Sequence, residues 1–247
     1  HCQQRKQQEL LCAKTKHALQ FTPNECEGNA ISLPKLERKM IDKIASWKFA
    51  EDFASEPAHI QDARKTAEEL GVESITPATG NQLALLAAVA RARSIAEVGT
   101  GAGVSALWLL SASEDSVVTT IDEEPEYQNV ARENFKKSQI PPARIRVISG
   151  RANAVMGNMA ESAYDLVFLD LDPNDLGSLL AQSVLLLKPG GVLVIAHALW
   201  RDRVPNPALR EDETVALRSA INGFSDAEDF IASISLVGDG LFVAVKK

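Results

Sequence analysis

The chain reads Glu97-Val98-Gly99-Thr100-Gly101-Ala102-Gly103 where an apolar strand pattern ends and an apolar helical pattern begins. The strand pattern is Ser94-Ile95-Ala96, and the helical pattern runs from Val104 to Leu110. Glycines permit positive φ angles and close backbone approach, and the first turn of a helix offers free N–H groups to an anion. The segment therefore predicts a nucleotide-type cofactor site, with a tight turn that binds no ligand as the alternative.

The residues of this loop favour one class of cofactor over another. A dinucleotide site has the pattern G-x-G-x-x-G, and the position of the third glycine is Val104 here. The carboxylate of Glu97 would repel a pyrophosphate, but it would attract an ammonium group. S-adenosylmethionine carries an ammonium group and a small carboxylate. The loop therefore predicts S-adenosylmethionine rather than a nicotinamide dinucleotide.

A second carboxylate stands at the spacing expected for a ribose contact. The β-branched run Val117–Ile121 reads as a strand that ends at Asp122, and Asp122 lies 21 positions after Gly101. At this spacing a carboxylate accepts hydrogen bonds from both ribose hydroxyls of a bound nucleoside. An aspartate that ends a strand also occurs as a helix cap or as a solvated charge. We predict the ribose role for Asp122.

Length and charge exclude several classes of partner. The chain has 247 residues, of which 45% are hydrophobic and 24% charged, enough for one α/β domain with a sizeable core. Its net charge of −7 argues against nucleic acid, because phosphate binding needs clustered Lys and Arg. The longest apolar runs, such as Leu83–Ala90, fall far short of the ~20 residues that cross a bilayer. We therefore expect neither a nucleic-acid nor a membrane partner.

Residues 1–39 differ in kind from the rest of the chain. They hold all three cysteines within a Gln-rich segment that shows no sustained hydrophobic period. A helical pattern begins directly after Met40. We therefore predict that 1–39 are a disordered or non-native extension. Residues 40–247 are predicted to form a single domain, with a helical cap at 40–91. Since that domain has no cysteine, we expect a reducing, cytoplasmic location.

Strand and helix patterns alternate along the predicted domain. The strands are predicted at 94–98, 117–121, 145–148, 166–169, 192–196, 231–237 and 241–245. The helices are predicted at about 40–55, 58–70, 80–91, 103–112, 125–138, 152–159, 176–187 and 212–222. This order predicts an α/β fold with a doubly wound, mostly parallel seven-stranded sheet and a C-terminal antiparallel hairpin. The ligand is expected beyond the carboxyl ends of the strands.

From about Ile75 to Lys247 the chain resembles the class I S-adenosylmethionine-dependent O-methyltransferases, in particular the bacterial branch akin to catechol and caffeoyl-coenzyme A O-methyltransferases. The resemblance is carried by Ile75–Gly80, Glu97–Ser105, Asp122, Gly150–Ala152, Tyr164–Asp170 and Leu187–Gly191. It implies a Rossmann-like methyltransferase fold and transfer of a methyl group from S-adenosylmethionine to a hydroxyl oxygen of a small acceptor such as a phenol. Relatives are often homodimers, so a homodimer is a further expectation.

The resemblance also implies which residues bind the cofactor. This predicted set consists of Ile75, Glu97, Gly99, Thr100, Gly101, Gly103, Ser105, Asp122, Gly150, Ala152 and Asp170. Asp122 would bind the ribose, and Ala152 would contact the adenine edge through its backbone. Arg151 is a departure, because many relatives have an aspartate there to accept from the adenine amino group, and arginine cannot accept a hydrogen bond.

The chain departs further at the expected reaction centre. In metal-dependent relatives an aspartate after strand four and an Asp-Asn pair after strand five bind Mg²⁺, which lowers the pKa of the acceptor hydroxyl. Asp170 matches the first ligand, but the pair reads His197-Ala198. The lysine that is a candidate base in those relatives is replaced by Pro173. A magnesium site of the usual kind is therefore not expected.

Three roles stay open for His197. With Asp170, and with help from Asp172 or Asp175, it would bind a divalent metal such as Mn²⁺, Fe²⁺ or Zn²⁺. Alternatively it is the general base that takes the proton of the acceptor hydroxyl. It would otherwise be satisfied by local hydrogen bonds in a protein that binds S-adenosylmethionine without catalysis. We predict Asp170 and His197 as the catalytic residues, and a nucleotide-dependent oxidoreductase is the remaining alternative.

The loop after strand five is expected to contact the acceptor. It contains Trp200, which could stack on an aromatic acceptor, and Arg201 and Arg203, which could pair with a carboxylate or phosphate. The alternative is a core tryptophan beside two solvated arginines.

Overall fold

The computed structural model describes residues 43–247, in which three helices precede a run of alternating strands and helices and a final pair of strands. The predicted extension over 1–39 and the start at Met40 lie outside the described residues. The helices are α1 (Lys43–Asp52), α2 (Ala58–Glu69), α3 (Pro77–Val89), α4 (Val104–Ser111), α5 (Pro125–Lys137), α6 (Ala152–Met156), α7 (Pro173–Leu186) and α8 (Asp212–Asn222), with a 3₁₀ turn at Pro142–Arg144. The strands are β1 (Ser94–Val98), β2 (Val117–Asp122), β3 (Ile145–Ser149), β4 (Tyr164–Leu169), β5 (Leu187–Ile195), β6 (Phe230–Ser235) and β7 (Leu241–Lys246).

The strands form one seven-stranded sheet in the order β3-β2-β1-β4-β5-β7-β6. The first five strands are parallel, β7 runs antiparallel to β5, and β6 and β7 form the C-terminal antiparallel hairpin. The predicted fold class is therefore confirmed. The strand order reverses between β1 and β4, so their carboxyl ends diverge into loops on opposite faces of the sheet. Such a switch point opens a crevice at the sheet edge.

Alternate residues of the central strands pack into two separate cores. In β4, Phe168 belongs to the core under α4, whereas its neighbour Val167 belongs to the core under α7 and α8. Both side chains are fully buried. A parallel sheet that is covered on both faces needs such continuous apolar strands. None of the helices in residues 43–247 is long and apolar enough to span a bilayer.

Several element boundaries differ from the sequence-based prediction for identifiable reasons. Helix α3 begins at Pro77 rather than near residue 80, because the Thr76 hydroxyl accepts a hydrogen bond from the Thr79 N–H (3.2 Å). Helix α7 begins at Pro173 rather than 176, because the Asp172 carboxylate caps the Asn174 N–H at 2.9 Å. Residues 77–80, which belong to the segment Ile75–Gly80 that carries the resemblance, are thus helical.

Strand β5 is longer than predicted. It begins at Leu187, which pairs with Tyr164, and the regular register resumes only between Leu166 and Val192. The Lys-Pro-Gly-Gly segment, which was predicted as the turn into this strand, is accommodated within the strand as an irregularity. Its bulge lies at the end of the sheet that is distant from the crevice.

Candidate active site

An elongated cleft crosses the carboxyl ends of β1, β2 and β4. It consists of a cavity of about 190 Å³ on the side of α3 and α4 and a cavity of about 620 Å³ on the side of α6 and α7. Gly99, Asp122 and Asp170 line both cavities. Because these three residues are shared, the two cavities form one cleft at the switch point of the sheet.

Most of the predicted cofactor residues line this cleft. The smaller cavity is bordered by Ile75, Gly99, Thr100, Gly101, Ser105, Asp122 and Asp170. Gly150 and Ala152 line the larger cavity. Two residues of the predicted set, Glu97 and Gly103, line neither cavity.

The start of the loop requires a glycine for a steric reason. Gly99 has a φ of +94°, and a Cβ atom at this position would lie 2.0 Å from the backbone oxygen of Asp170. The end of β1 is held against its neighbours by hydrogen bonds from the Gly99 N–H to the Ile121 oxygen and from the Asp170 N–H to the Val98 oxygen, both 2.9 Å. The close approach brings the Asp170 side chain to the mouth of the cleft.

Gly103 supports the loop from behind. It has a φ of +87° at the N-cap of α4, and a Cβ atom there would lie 2.8 Å from the ring of Phe135. The glycine therefore allows α5 to pack against the start of α4. The structure gives Gly103 a packing contact and no exposure to the cleft.

Glu97 is a fully buried carboxyl without a hydrogen-bond partner. Neither of its oxygens has such a partner among the described residues, and its side chain has no solvent exposure. Burial is the main cause that raises the pKa of Glu97 to about 7; the nearby hydroxyls of Thr120 and Ser105 oppose this rise, and the charges of Asp170 and Asp122 add to it. These hydroxyls act on the carboxyl without completing a hydrogen bond of normal geometry. Glu97 thus stands behind Ser105, which does line the cleft.

Asp122 occupies the centre of the cleft and stabilises the loop. One carboxylate oxygen accepts from the Gly101 N–H and the other from the Glu124 N–H, each at 3.0 Å. Each oxygen keeps a further acceptor position toward the cleft. The structure therefore unites the two interpretations of this residue, a cap of the following segment and an acceptor that faces the ligand cleft.

The outer end of the larger cavity carries Arg151. Its guanidinium pairs with Glu123 at 3.8 Å, and both side chains are largely exposed. The arginine therefore offers no acceptor to the cleft, and the backbone of Gly150 and Ala152 lies there instead.

His197 lies between two carboxylates. Its Nε2 atom is 3.5 Å from Asp170 Oδ1, and its Nδ1 atom is 3.4 Å from Asp239 Oδ2. All three side chains are mostly buried, with 23 to 26% exposure. Burial raises the pKa of Asp170, and the negative charge of Glu73 adds to this, while His197 opposes it. The predicted pair of Asp170 and His197 is thus brought together.

Asp239 and Glu51 complete the neighbourhood and were missed by the sequence analysis. Asp239 lies in the turn between β6 and β7. Glu51 on α1 accepts from the Thr76 hydroxyl at 2.9 Å and from the Gly238 N–H at 2.6 Å, so it joins the helical cap to two loops beside the cleft. Both residues act through contacts that are distant in sequence, which no local pattern indicates.

The loop after β5 lies beside the cleft. One of its two arginines pairs with a surface carboxylate, and the other is exposed to solvent. Arg201 pairs with Glu73 at 3.4 Å on the surface, and its guanidinium carbon lies 6.0 Å from the centre of the Trp200 ring. The Arg203 side chain is exposed. Trp200 is half-buried and borders a small cavity together with His197 and Pro173. The indole therefore borders the same cavity as the histidine.

The comparison with known proteins decides the family. A family model described as O-methyltransferase matches residues 51–247. The chain belongs to the O-methyltransferase family. This protein is thus an enzyme that transfers a methyl group from S-adenosylmethionine to an oxygen of its acceptor.

Similar proteins cover most of this O-methyltransferase. A candidate O-methyltransferase of Mycobacterium avium is 44% identical over 198 residues, which are 80% of this chain and 89% of that protein. A crystal structure from Corynebacterium glutamicum has a TM-score of 0.75 and 29% identity, and the match covers 82% of this chain and 96% of that one. An O-methyltransferase from Bacillus cereus, crystallised with S-adenosylhomocysteine, has a TM-score of 0.73 at 21% identity over 82% of this chain and 97% of that chain, which shows the fold.

The cleft of this O-methyltransferase fits the cofactor of its family. S-adenosylmethionine carries an ammonium group, a carboxylate and a nucleoside. The turn that begins at Gly99 and the carboxylate of Asp122 line the cleft, and the unpartnered carboxyl of Glu97 is buried behind it. These groups are consistent with a ligand that carries an anionic group, ribose hydroxyls and an ammonium group.

The same site does not fit a divalent metal ion. Among residues 43–247 no group of three or more His, Cys, Asp and Glu side chains is arranged to hold a metal. Asp170 and Asp239 face different ring nitrogens of His197, so the two carboxylates cannot bind one ion together with the histidine. Asp172 and Asp175 line the larger cavity, and Asp172 is engaged as the cap of α7. The described residues therefore do not assemble the group of three or more carboxylate and histidine side chains that is typical of a protein metal site.

Proposed function

We propose that this O-methyltransferase methylates an acidic hydroxyl of a small, phenol-like acceptor and that it does so without a metal ion. The observation that carries the proposal is the position of His197, whose Nε2 atom is 3.5 Å from Asp170 at the mouth of the cleft. A histidine accepts protons near neutral pH, which makes it suited to take the proton of a phenol. Aliphatic hydroxyls are too weakly acidic to be activated in this way.

We propose that the cofactor lies along the whole cleft. Its methionine part would contact Ile75, Thr100, Gly101 and Ser105, which line the smaller cavity. The carboxylate of Asp122 would accept from the ribose hydroxyls, and the backbone at Gly150 and Ala152 would border the adenine. Glu97 would attract the ammonium group electrostatically, and Gly103 would support the loop without touching the ligand.

In this reaction the protein has to accept a proton and to align the reactants. The sulfonium of the cofactor supplies a methyl group that is already activated. His197 accepts the acceptor's proton at Nε2, so that the nucleophilic oxygen gains negative charge. Trp200 borders a small cavity together with the histidine, and the cleft aligns the reactants.

We expect turnover in the absence of divalent metal. The test is methyl transfer from S-adenosylmethionine to a panel of catechols, simple phenols and aliphatic alcohols, with metal-stripped enzyme in EDTA and again with Mg²⁺ or Mn²⁺. Phenols should react in EDTA, and added metal should change the rate by less than about threefold, because the site lacks a metal ligand set. A reaction that depends on the metal, or a preference for aliphatic alcohols, would refute the proposal.

We propose that the enzyme is a homodimer. An apolar face, formed by α1, α3 and β6, is exposed to solvent. Its members are Ile44, Phe49, Phe53, Leu85, Val89, Ile231, Ile234 and Leu236. Hydrogen bonds from Trp47 Nε1 to the Leu236 oxygen (2.9 Å) and from the Ser235 hydroxyl to Gln82 (3.1 Å) hold these elements together as one surface. Large exposed apolar patches of this kind are typical of interfaces.

Light scattering tests the dimer. We expect a mass near twice the 26.7 kDa of the chain for the wild type and near one chain for Val89→Glu, because a charge in the apolar face opposes its burial. Val215→Glu, at an exposed position on α8, is the control and should leave the dimer intact. A wild-type mass of one chain would contradict the proposal.

We also propose a cytoplasmic location and a single methyltransferase domain. The absence of cysteine from 40–247 supports the reducing cytoplasm. The family match over residues 51–247 supports a single domain with a helical cap and an N-terminal extension.

A further inference from the structure

The β6–β7 turn is fixed against the loop that carries His197. The Leu199 N–H donates to the backbone oxygen of Asp239 at 2.9 Å, and the Ala198 N–H donates to the backbone oxygen of Gly240 at 3.0 Å. Gly240 permits this approach, because a Cβ atom there would lie 2.8 Å from the Leu199 nitrogen. Asp239 is therefore held at a defined position beside the histidine.

The two oxygens of the Asp239 carboxylate have different partners. Oδ1 accepts from the Arg201 N–H at 2.7 Å, and Oδ2 faces Nδ1 of His197 at 3.4 Å. His197 has a φ of +53°, a conformation that costs free energy for a residue other than glycine. Backbone hydrogen bonds of Ala198, Leu199 and Trp200 fix the chain at this point, and the imidazole lies with Nδ1 toward Asp239 and Nε2 toward Asp170.

We propose that Asp239 is a positioning residue, which accepts the Nδ1–H of His197 and so places the imidazole lone pair on Nε2, the nitrogen that acts as the base. The proposal rests on the proposed function of His197. The 3.4 Å separation is longer than a formed hydrogen bond, and such contacts tighten when the substrate is bound. When the acceptor reacts, its O–H bond breaks, the proton forms a bond to Nε2, and the electron pair stays on the acceptor oxygen.

The charges around the histidine agree with this role. Asp239 in the β6–β7 turn and Asp170 after β4 flank the ring, while Glu73 before α3 acts on Asp170 and pairs with Arg201. An imidazolium formed during the reaction would lie between two carboxylates, which stabilise its positive charge. The proton can then pass to solvent, to which the side chain is 26% exposed.

Asp239→Asn distinguishes the positioning role from a merely structural one. An asparagine oxygen can still accept from the Arg201 N–H, so the loop keeps its hydrogen bond. Its NH₂ group would then face Nδ1 of His197 and would require a lone pair there. This arrangement favours the opposite tautomer, in which Nε2 carries the proton and cannot accept another.

The test is the tautomer of His197 in ¹⁵N-histidine-labelled protein above neutral pH. The chain has four histidines, and the His197→Asn variant assigns the resonance. We expect the Nδ1–H tautomer in the wild type and the Nε2–H tautomer in Asp239→Asn, with kcat lowered at least about 100-fold and the KM for S-adenosylmethionine changed less than threefold. Asp226→Asn, at an exposed site, is the control and should match the wild type.

An unchanged tautomer or an unchanged kcat in Asp239→Asn would overturn the positioning role. The tautomer is measured without turnover, so it separates this inference from the proposed function. If the wild type shows the Nδ1–H tautomer but methylates no phenol, the proposed function fails and the Asp239 contact stands.

Discussion

Replacing His197 by asparagine is expected to lower kcat with a phenolic acceptor by about 10²- to 10⁴-fold, the range over which a general base contributes. Asparagine tolerates the positive φ of this position and stays polar, but it cannot take up a proton. The affinity for S-adenosylhomocysteine should stay within about threefold of the wild type, because His197 does not line the smaller cavity.

The control for this variant is His59→Asn, at an exposed position on α2. It should retain wild-type turnover and pH dependence. If His197→Asn retains full kcat, the histidine is not the base. If that variant loses cofactor affinity together with activity, the residue acts in binding instead.

Replacing Glu97 by glutamine is expected to weaken binding of S-adenosylhomocysteine at pH 8 by about 10- to 100-fold, because the variant cannot present a charge to the ammonium group. The pKa of Glu97 is about 7 in the ligand-free protein. Since the ionised carboxyl is the binding form, wild-type affinity should fall about tenfold for each pH unit below 7. The glutamine variant should lack this pH dependence, and Glu126→Gln, on the exposed first turn of α5, should retain it.

The same substitution should stabilise the ligand-free protein at alkaline pH. The folded-state pKa of Glu97 is raised from 4.5 to about 7, so its stability contribution is complete below 4.5 and is lost as the pH rises to 7. The loss is at most about 3 kcal/mol, because one pKa unit corresponds to about 1.4 kcal/mol. Glu97→Gln should therefore raise the Tm at pH 8 and leave it nearly unchanged at pH 4.5. If Glu97→Gln binds S-adenosylhomocysteine at pH 8 as tightly as the wild type, Glu97 does not bind the ammonium group.

Local patterns were sufficient for the fold and for one half of the site. Alternating strands and helices predict the parallel sheet, and the glycines after Glu97 predict the loop at the end of β1. These signals are local because each strand leads directly into its own loop at the carboxyl end. Gly103 carries a further requirement that no local pattern indicates, since a Cβ atom there would lie 2.8 Å from the ring of Phe135 on α5.

The other half of the site depends on contacts that the sequence does not reveal. Asp239 reads as part of a Gly-Asp-Gly hairpin turn, and it meets His197 only because β7 pairs with β5. Glu51 likewise reaches Gly238 across 187 positions. The pairing register of distant segments places these groups, and no period or motif in either segment encodes that register.

The central claim, that this O-methyltransferase holds S-adenosylmethionine along the cleft from Ile75 to Ala152, is tested most directly by the wild-type titration in the Glu97 series. Metal-stripped protein is titrated calorimetrically with S-adenosylhomocysteine at pH 8, with and without Mn²⁺, and with NADH as a control ligand. We predict one site per chain with a Kd in the micromolar range, the same with and without metal, and no heat from NADH. No binding under any condition, or preferential binding of NADH, would contradict the account.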